Sequence, residues 1–574
     1  MQRRVGLALA SAAACCALAA GGTASAAVKA PTGHWGSARG LSGAVAATSE
    51  GGAQAKVQSV SCASAGNCAG GGSFTDASGK SQGFVATEKG GAWGAARQLP
   101  GRDSATSGMV NSVSCGTGGN CVAGGSAITT GPFSGAFLAG EVHGTWGGAR
   151  EVPHLAAINH GSAQVDTVSC AAAGDCAALG GYVDATGQTQ VFVTEEKKGN
   201  WSDAQPLPGL TFLNRRGLAF VKSVSCAAPG DCVAAGNYLG GGGFTQAFEA
   251  EETNGAWSDA QPVNGVPSLN SGNSGSTAIS CVSPGNCTVA GFYSDTSHHT
   301  QAFVADERGG TWELAEPVPG TAARNSGDAS VTSLSCSSRG NCGLAGFVTD
   351  TTGQHQAFLD SELGGGWRQA QLLTGTGTVS SWQATEAHAV SCAAAGDCVA
   401  GGSAVTAGLV QRSFVVRDVH GTWGTASELP GSAALNAGKT ADLVSVSCAS
   451  PGNCAVGGSY TDGSGLEHAM VADESAVTAT SLSLGAAKIR FGHEQADRLT
   501  VKVTSRTDGT PGGKVTVKAG KATVCVFMLS HGKGTCTLPA RKLRPGNYHL
   551  TAKYGGSQVY AGSAAPQKTL TVTK

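Results

Sequence analysis

The chain is poor in charge and in large rings. Only 13% of its 574 residues are charged, 6% are aromatic, and methionine occurs four times. Sustained helical periodicity is hard to find beyond the first 26 residues, which argues against a helical bundle. Past that opening segment no run of about 18 apolar residues occurs, so no later stretch can span a membrane as a helix. No Ser-His-Asp arrangement, phosphate-binding loop or HExxH string can be placed, and the most legible hydrolase, nucleotide and zinc-protease signatures are absent. No histidine recurs beside the cysteines, which speaks against zinc.

What is abundant points elsewhere. With 89 glycines and 41% hydrophobic residues the composition suits a turn-dense all-β protein. The opening segment carries Arg3 and Arg4, an apolar run from Val5, and Ala24-Ser25-Ala26. It reads as a signal peptide over 1–26. The Ala12-Ala13-Ala14 before Cys15 lacks the leucine expected of a lipid-attachment site. Cleavage removes Cys15 and Cys16 and leaves 18 cysteines, an even number that in an exported chain predicts disulfides.

Sixteen of the 18 form a C-x5-C pattern repeated eight times: Cys62/Cys68, Cys115/Cys121, Cys170/Cys176, Cys226/Cys232, Cys281/Cys287, Cys336/Cys342, Cys392/Cys398 and Cys448/Cys454. From the first cysteine to the next tryptophan the distance is 31 residues in seven copies, whereas the joint from tryptophan to the next cysteine varies from 22 to 25. The unit is rigid inside and variable at its joints. Counting from the first cysteine, +4 is Gly and +5 is Asn or Asp in every copy, which predicts a tight turn between the cysteines. Position +10 is always Gly, a place where another backbone or ring comes close. An aromatic stands at +22 in seven copies and an acid at +26 in all eight, from Glu88 to Glu474.

Alternating apolar residues give four short strands per unit, the pattern of a β-propeller blade. The eighth copy ends in Ala479 where the others have tryptophan, and the missing GxWxxA string stands at 33–43 as GHWGSARGLSG. These ends are complementary. They predict an eight-bladed β-propeller over 31–476, closed by an N-terminal strand that completes the last blade and removes both open edges.

Residues 479–574 differ in character. Alternating strands such as LTVKVTS and KTLTVTK between Gly/Pro turns predict a β-sandwich. The stretch LRPGNYHLTAKYGGSQVYAG resembles the end of bacterial Ig-like domains, through Leu543, Gly546, Tyr548, Ala552, Tyr554 and Gly556. That resemblance implies an Ig-like spacer, adhesive or carbohydrate-contacting module. Cys525 and Cys536 depart from the commonest cysteine-free pattern and are expected to add a local disulfide. The repeats are similar to those of exported actinobacterial proteins with such tails, a resemblance that carries no activity. This module holds 15 Lys/Arg against 3 Asp/Glu, while the repeats between leader and tail hold 20 against 35. A basic tail on an acidic body predicts an anionic partner for the tail.

Features present in every unit are read as structural. The C-x5-C pairs are expected to be disulfides pinning the first two strands of each blade. The +26 acids are expected to accept backbone N–H groups at a strand turn, and the tryptophans to pack between blades with their N–H groups satisfied locally. Asp at +14, as in Asp76, resembles the turn acid of Asp-box hairpins with different spacing and is read as a turn former. Function is expected where the repeat is broken, on the face that gathers the joints. Ligand-binding candidates are Phe212, Arg215 and Arg216 in one joint, and Trp382, Glu386 and His388 in another. His154, His160, His298 and His299 lie in other turns.

The resulting expectation is a secreted, monomeric, non-catalytic binding or scaffold protein. The propeller's loop face would take a glycan or protein, and the basic tail would contact anionic cell-wall or extracellular polymers. No cofactor, metal or nucleic acid is expected. The alternative is an extracellular carbohydrate-active enzyme with Glu386 at the propeller mouth and an accessory Ig-like domain.

Overall fold

The computed structural model describes residues 33–43, 54–99, 107–116, 119–128, 133–375, 382–505, 510–557 and 559–574. The leader 1–26 with Cys15 and Cys16, the start of the repeat region at 31–32, and joint residues 379–381 lie outside the described residues.

Each repeat folds as its own antiparallel sheet with strands in chain order. In the third, Gln164–Ala172, Asp175–Val183 and Thr189–Lys197 pair in sequence. The expected fourth strand is two pieces, Asn200–Trp201 and Gln205–Pro206, both on the third strand. A proline is tolerated there because an edge strand can leave an N–H position unused.

The eight repeat disulfides are formed as Cys62–Cys68, Cys115–Cys121, Cys170–Cys176, Cys226–Cys232, Cys281–Cys287, Cys336–Cys342, Cys392–Cys398 and Cys448–Cys454. Each joins directly opposed residues of the first and second strands, as Cys170 faces Cys176, with Cα atoms 3.9–4.0 Å apart. Gly174 takes the left-handed conformation that the intervening turn demands. The two members of a pair differ in exposure. The first is half-buried in all pairs but that of Cys392, whereas the second is always buried: Cys68, Cys121, Cys176, Cys232, Cys287, Cys342, Cys398 and Cys454. These second cysteines belong to the apolar clusters between sheets, Cys68 beside Val57 and Phe84, Cys121 beside Val110, Cys398 beside Val390 and Cys454 beside Val456. Among the sites named from the sequence they are thus packing groups.

The Gly at +10 has a specific cause. The first strand bulges between Val165 and Thr167, and this pushes the Gln164 carbonyl oxygen against Gly180, where a methyl group would overlap it. Equivalent overlaps face Gly72, Gly125, Gly236, Gly291, Gly346, Gly402 and Gly458. Phe192 at +22 then packs into the same core, fully buried.

Neighbouring sheets are joined by serines. The serine before each first cysteine accepts the N–H of the next sheet's first cysteine: Ser61 from Cys115, Ser114 from Cys170, Ser169 from Cys226 and Ser225 from Cys281. Ser280, Ser335 and Ser391 do the same for Cys336, Cys392 and Cys448. Ser447 of the eighth sheet accepts the N–H of Cys62 in the first, 3.0 Å away. An apolar cluster likewise joins Val57 and Phe84 of the first sheet to Ala469 and Val471 of the eighth.

The N-terminal strand Gly33–Trp35 pairs with Glu467–Ala476, Trp35 lying opposite Glu474, and Arg39–Gly40 pairs with the same strand. These residues occupy in the eighth sheet the place that Asn200–Trp201 and Gln205–Pro206 take in the third.

Beyond Ala476 the chain enters two further sheets. Thr478–Ser483, Arg498–Ser505 and Lys533–Thr537 form one. Lys488–Arg490, Lys568–Thr573, Gly546–Tyr554, Gly513–Ala519 and Ala522–Leu529 form the other. The Cys525–Cys536 disulfide links one sheet to the other. Tyr548 donates its hydroxyl to the Arg544 carbonyl 2.8 Å away, a corner typical of Ig-like sandwiches. The protein is thus all-β, with helices of three or four residues among the described residues.

Candidate functional site

The second-to-third-strand turns and the joints lie together at one end of the sheets. In the Asp76 turn, Oδ1 accepts from the N–H of Ser78 and Lys80 and the Ser78 hydroxyl, while Oδ2 accepts from Gln82. Asp184, Asp295, Asp350 and Asp462 repeat the arrangement. These donors hold Asp76 and Asp350 down to about 2. His299 donates its backbone N–H to Asp295, and His298 takes a left-handed conformation in that same turn.

Four joints contain a helical turn that their variable length concealed: Leu155–Ile158, Leu210–Leu213, Val266–Leu269 and Ser432–Leu435. Each is preceded by a left-handed residue, Gly or His154, and followed by an asparagine. Asn214 shows why: its amide donates to the Thr189 carbonyl and Gln190 and accepts from the Leu218 N–H, locking the joint onto the neighbouring turn. His160 extends this docking by donating its N–H to the Val183 carbonyl.

On this scaffold Phe212 stands 78% exposed, with Arg215 and Arg216 beside it. Arg216 donates to the Gly241 carbonyl, and a depression of about 330 Å³ runs between Phe212, Arg215, Tyr238 and Phe244.

The second candidate group lies on the seventh sheet and forms a different arrangement. Trp382 packs 5.3 Å from Phe414 and its indole nitrogen is buried without a partner among the described residues. It belongs to the packing of that sheet. Glu386 contacts Nδ1 of His355 at 2.6 Å, and that imidazole stacks on Phe347. His388 lies 3.3 Å from Asp442 and 4.0 Å from Glu386. Burial disfavours its imidazolium, but Asp442 and Glu386 outweigh this and hold its pKa above the ordinary value. His355 and Asp442, absent from the sequence reading, thus complete a chain of alternating imidazoles and carboxylates across three sheets. No contact joins this chain to Phe212 or the arginines among the described residues.

The opposite end carries the disulfide turns and the repeated acids. Seven of the eight acids are buried, and Glu196 is half-buried. Accepting backbone N–H groups is not their common role; Asp418 does so, from Gly421 and Thr422. They meet instead the preceding sheet's residues at +25 and +27. Glu141 accepts from the Thr87 hydroxyl, Asp418 from Ser361, Glu362 from Arg308 and Glu474 from Arg417. Elsewhere an acid meets an acid. Burial and then Asp473 push Glu88 up to about 8, and burial and then Glu195 push Glu252 up to about 8. Burial and then Glu251 raise Glu307 to about 7.

The tryptophans use the same position. Their N–H groups are not satisfied locally: Trp93, Trp146, Trp257 and Trp312 donate across to Asp473, Thr87, Glu195 and Glu251 of the preceding sheet. Those of Trp367 and Trp423 have no partner among the described residues. Position +25 varies in type from copy to copy, so no sequence signal marks it as a shared contact.

Among the described residues no group of three or more His, Cys, Asp or Glu is arranged to hold a metal, and no helix is long and apolar enough to cross a membrane.

No curated protein matches the chain. Solved structures similar to it include a protein of unknown function from Dyadobacter fermentans, at 9% identity and a TM-score of 0.33, covering 77% of this chain and 99% of that one. A polysaccharide lyase, an ulvan lyase, is similar at 8% identity and a TM-score of 0.38, covering 69% and 96%. A Hadza microbial sialidase is similar at 12% identity and a TM-score of 0.32, covering 61% and 73%. Likenesses this distant carry neither residues nor chemistry across. For the C-terminal module a family model does match: residues 482–573 correspond to the bacterial Ig-like domain (group 3).

Proposed function

We propose that the protein is an exported, non-catalytic binding protein whose C-terminal module holds it on anionic polymers of the cell wall or extracellular space. One observation carries this reading. On the larger sheet of the module, Val515, Val517, Leu550, Ala552, Leu570 and Val572 turn inward, so the alternate residues face solvent. That outer face presents Lys488, Arg490, Lys514, Lys518 and Lys553, all exposed, among threonines and His549, with no carboxylate among its described residues. A flat cationic surface of this kind attracts polyanions by charge density.

The repeat region, over 31–476, is read as an eight-bladed propeller closed by residues 33–43. Supporting this are the uniform serine contacts, the Ser447–Cys62 contact among them, and the pairing of Trp35 opposite Glu474. With 1–26 as leader and 479–574 as the sandwich, a closed body presents its joint face as the ligand surface. There Phe212, Arg215 and Arg216 offer an aromatic and cationic patch to a glycan or protein. The disulfides fit an oxidising extracellular setting. Glu386 is engaged by His355, which argues against a free catalytic acid.

Binding of the full chain to immobilised heparin or teichoic-acid-bearing sacculi tests the anchor. Retention is expected at about 0.05 M salt and loss by about 0.5 M. Joint replacement of Lys488, Lys514, Lys518 and Lys553 by Gln is expected to weaken retention by roughly tenfold or more. Salt-independent retention, or none at low salt, would overturn the reading.

A further inference from the structure

Between neighbouring sheets, at the disulfide end, open space depends on what the preceding sheet places beside the next sheet's acid. Where Arg308 crosses from the fifth sheet to Glu362 of the sixth, the cavity is only about 20 Å³. Where Glu195 and Thr87 stand it is about 440 and 480 Å³. Between the second and third sheets the place of Thr87 and Glu195 is taken by Gly140, and the cavity is about 650 Å³. Gly140 is exposed, and a methyl group on it would meet nothing within 4 Å.

Facing this glycine, Glu196 and Trp201 of the third sheet receive no side-chain partner from the second. Glu196 Oε2 is buried with no hydrogen-bond partner. Residue 140 also offers no side chain to the N–H of Trp201, the service that Thr87 performs for Trp146 and Glu195 for Trp257. Both residues line the cavity, together with Arg150, Lys198, Asn120 and Asn200.

We propose that this cleft is a saccharide site that takes one neutral sugar residue of a glycan. Its volume falls within the ~300–1,000 Å³ of small-molecule sites. Half-buried Trp201 supplies an aromatic ring for the C–H face of a pyranose and an N–H for one of its hydroxyls. Hydroxyls donate and accept at once, which matches the mixture of Glu196, the two amides and the indole N–H. Glu141, Glu151 and Glu196 stand against Arg150 and Lys198 around the wall, so no strong excess of one sign favours a charged ligand. The joint face lies at the other end of the sheets, so this site is separate from the one proposed above.

The test is built into the repeat. The position of Gly140 is Arg417 in the seventh sheet, where the guanidinium binds Glu474. Gly140→Arg should bind Glu196 in the same way and fill the cleft. The full chain is titrated with neutral oligosaccharides (gluco-, manno-, xylo- and N-acetylglucosamine series), uronic and sialylated oligosaccharides, and an Arg/Lys-rich peptide, by calorimetry and tryptophan fluorescence. The expected result is binding of at least one neutral oligosaccharide, weakened roughly tenfold or more by Gly140→Arg at unchanged melting temperature, and weakened also by Trp201→Phe. Should Gly140→Arg not fold, Gly140→Thr, the residue of the first sheet, is expected to weaken binding as well. Binding of only the charged sugars or the peptide, no binding at all, or full binding by a folded Gly140 variant overturns the proposal. A neutral sugar released by Phe212→Ala but not by Gly140→Arg overturns the cleft and supports the joint face.

Discussion

Single residues in this protein are used at their chemical limits. The Gly at +10 is required because a carbonyl oxygen occupies the space of its missing side chain, and sequence alone located that close approach without naming the bulge that causes it. The repeated acids have the opposite history: their burial was legible as a structural role, but their partners were not. Glu88 makes a testable case. Its pKa of about 8 in the fold, against about 4.3 in an unfolded chain, means that the folded state holds the proton more tightly. Its contribution to stability is therefore complete below about pH 4 and is lost as pH rises through about 8. Glu252, Glu307 and Glu362 add in the same sense. The turn aspartates oppose them only in acid, where Asp76 and Asp350 give up stability as pH falls from about 4 towards 2. Urea unfolding should show Glu88→Gln stabilised over wild type by on the order of 3–5 kcal/mol at pH 8.5 and by only about 1 kcal/mol at pH 5. A variant less stable than wild type at pH 8.5 would contradict this.

At the scale of elements, the unit is a sheet that cannot satisfy its own first strand. The N–H of each first cysteine points away from its sheet and is taken by a serine of the preceding one. Ser225→Ala should therefore cost about 1 kcal/mol by leaving the Cys281 N–H without an acceptor. Ser447→Ala should cost the same if the eighth sheet meets the first as other neighbours meet. A free substitution at Ser447 beside a costly one at Ser225 would break the proposed closure. The serine recurs at a constant distance from the cysteine, so its importance was available in the sequence; its partner, some 55 residues away, was not. The disulfides divide in the same manner. Spacing gave the pairing of Cys68, Cys121, Cys398 and Cys454 with the cysteines before them, while their burial against neighbouring sheets came only from packing. The joints teach the reverse lesson. Their lengths vary, yet Asn214, Asn270 and Asn436, each following a helical turn, all donate to the start of the preceding sheet's third strand. Length variation had hidden a docking point that recurs through the chain's own repeats.

For the whole molecule, the segment at 33–43 matters most. It pairs with Glu467–Ala476 and places Ala38 and Leu41 in apolar clusters with the seventh, eighth and first sheets. Deleting 33–43 would expose the edge of Glu467–Ala476 and uncover both clusters. We expect the melting temperature to fall by roughly 10 °C or more, with self-association through the freed edge. A synthetic peptide of residues 33–43 should restore much of the loss, whereas an unchanged melting temperature in the deletion would show that the strand is dispensable.

The sequence by itself determined the repeat, its eight disulfides, the complementary ends and the Ig-like tail, because each depends on spacing along one chain. Fixed spacing survives translation into strands and turns, since a residue's distance from its own cysteine sets its place in its own sheet. Only the tertiary structure decided what faces what between sheets: Glu252 against Glu195, Trp146 against Thr87, His388 against Asp442, and the space left by Gly140. Those relations arise from packing one sheet on the next. There a glycine at one position, unremarkable as a letter, leaves a wider space than Glu195 or Thr87 leaves at the same position of other sheets.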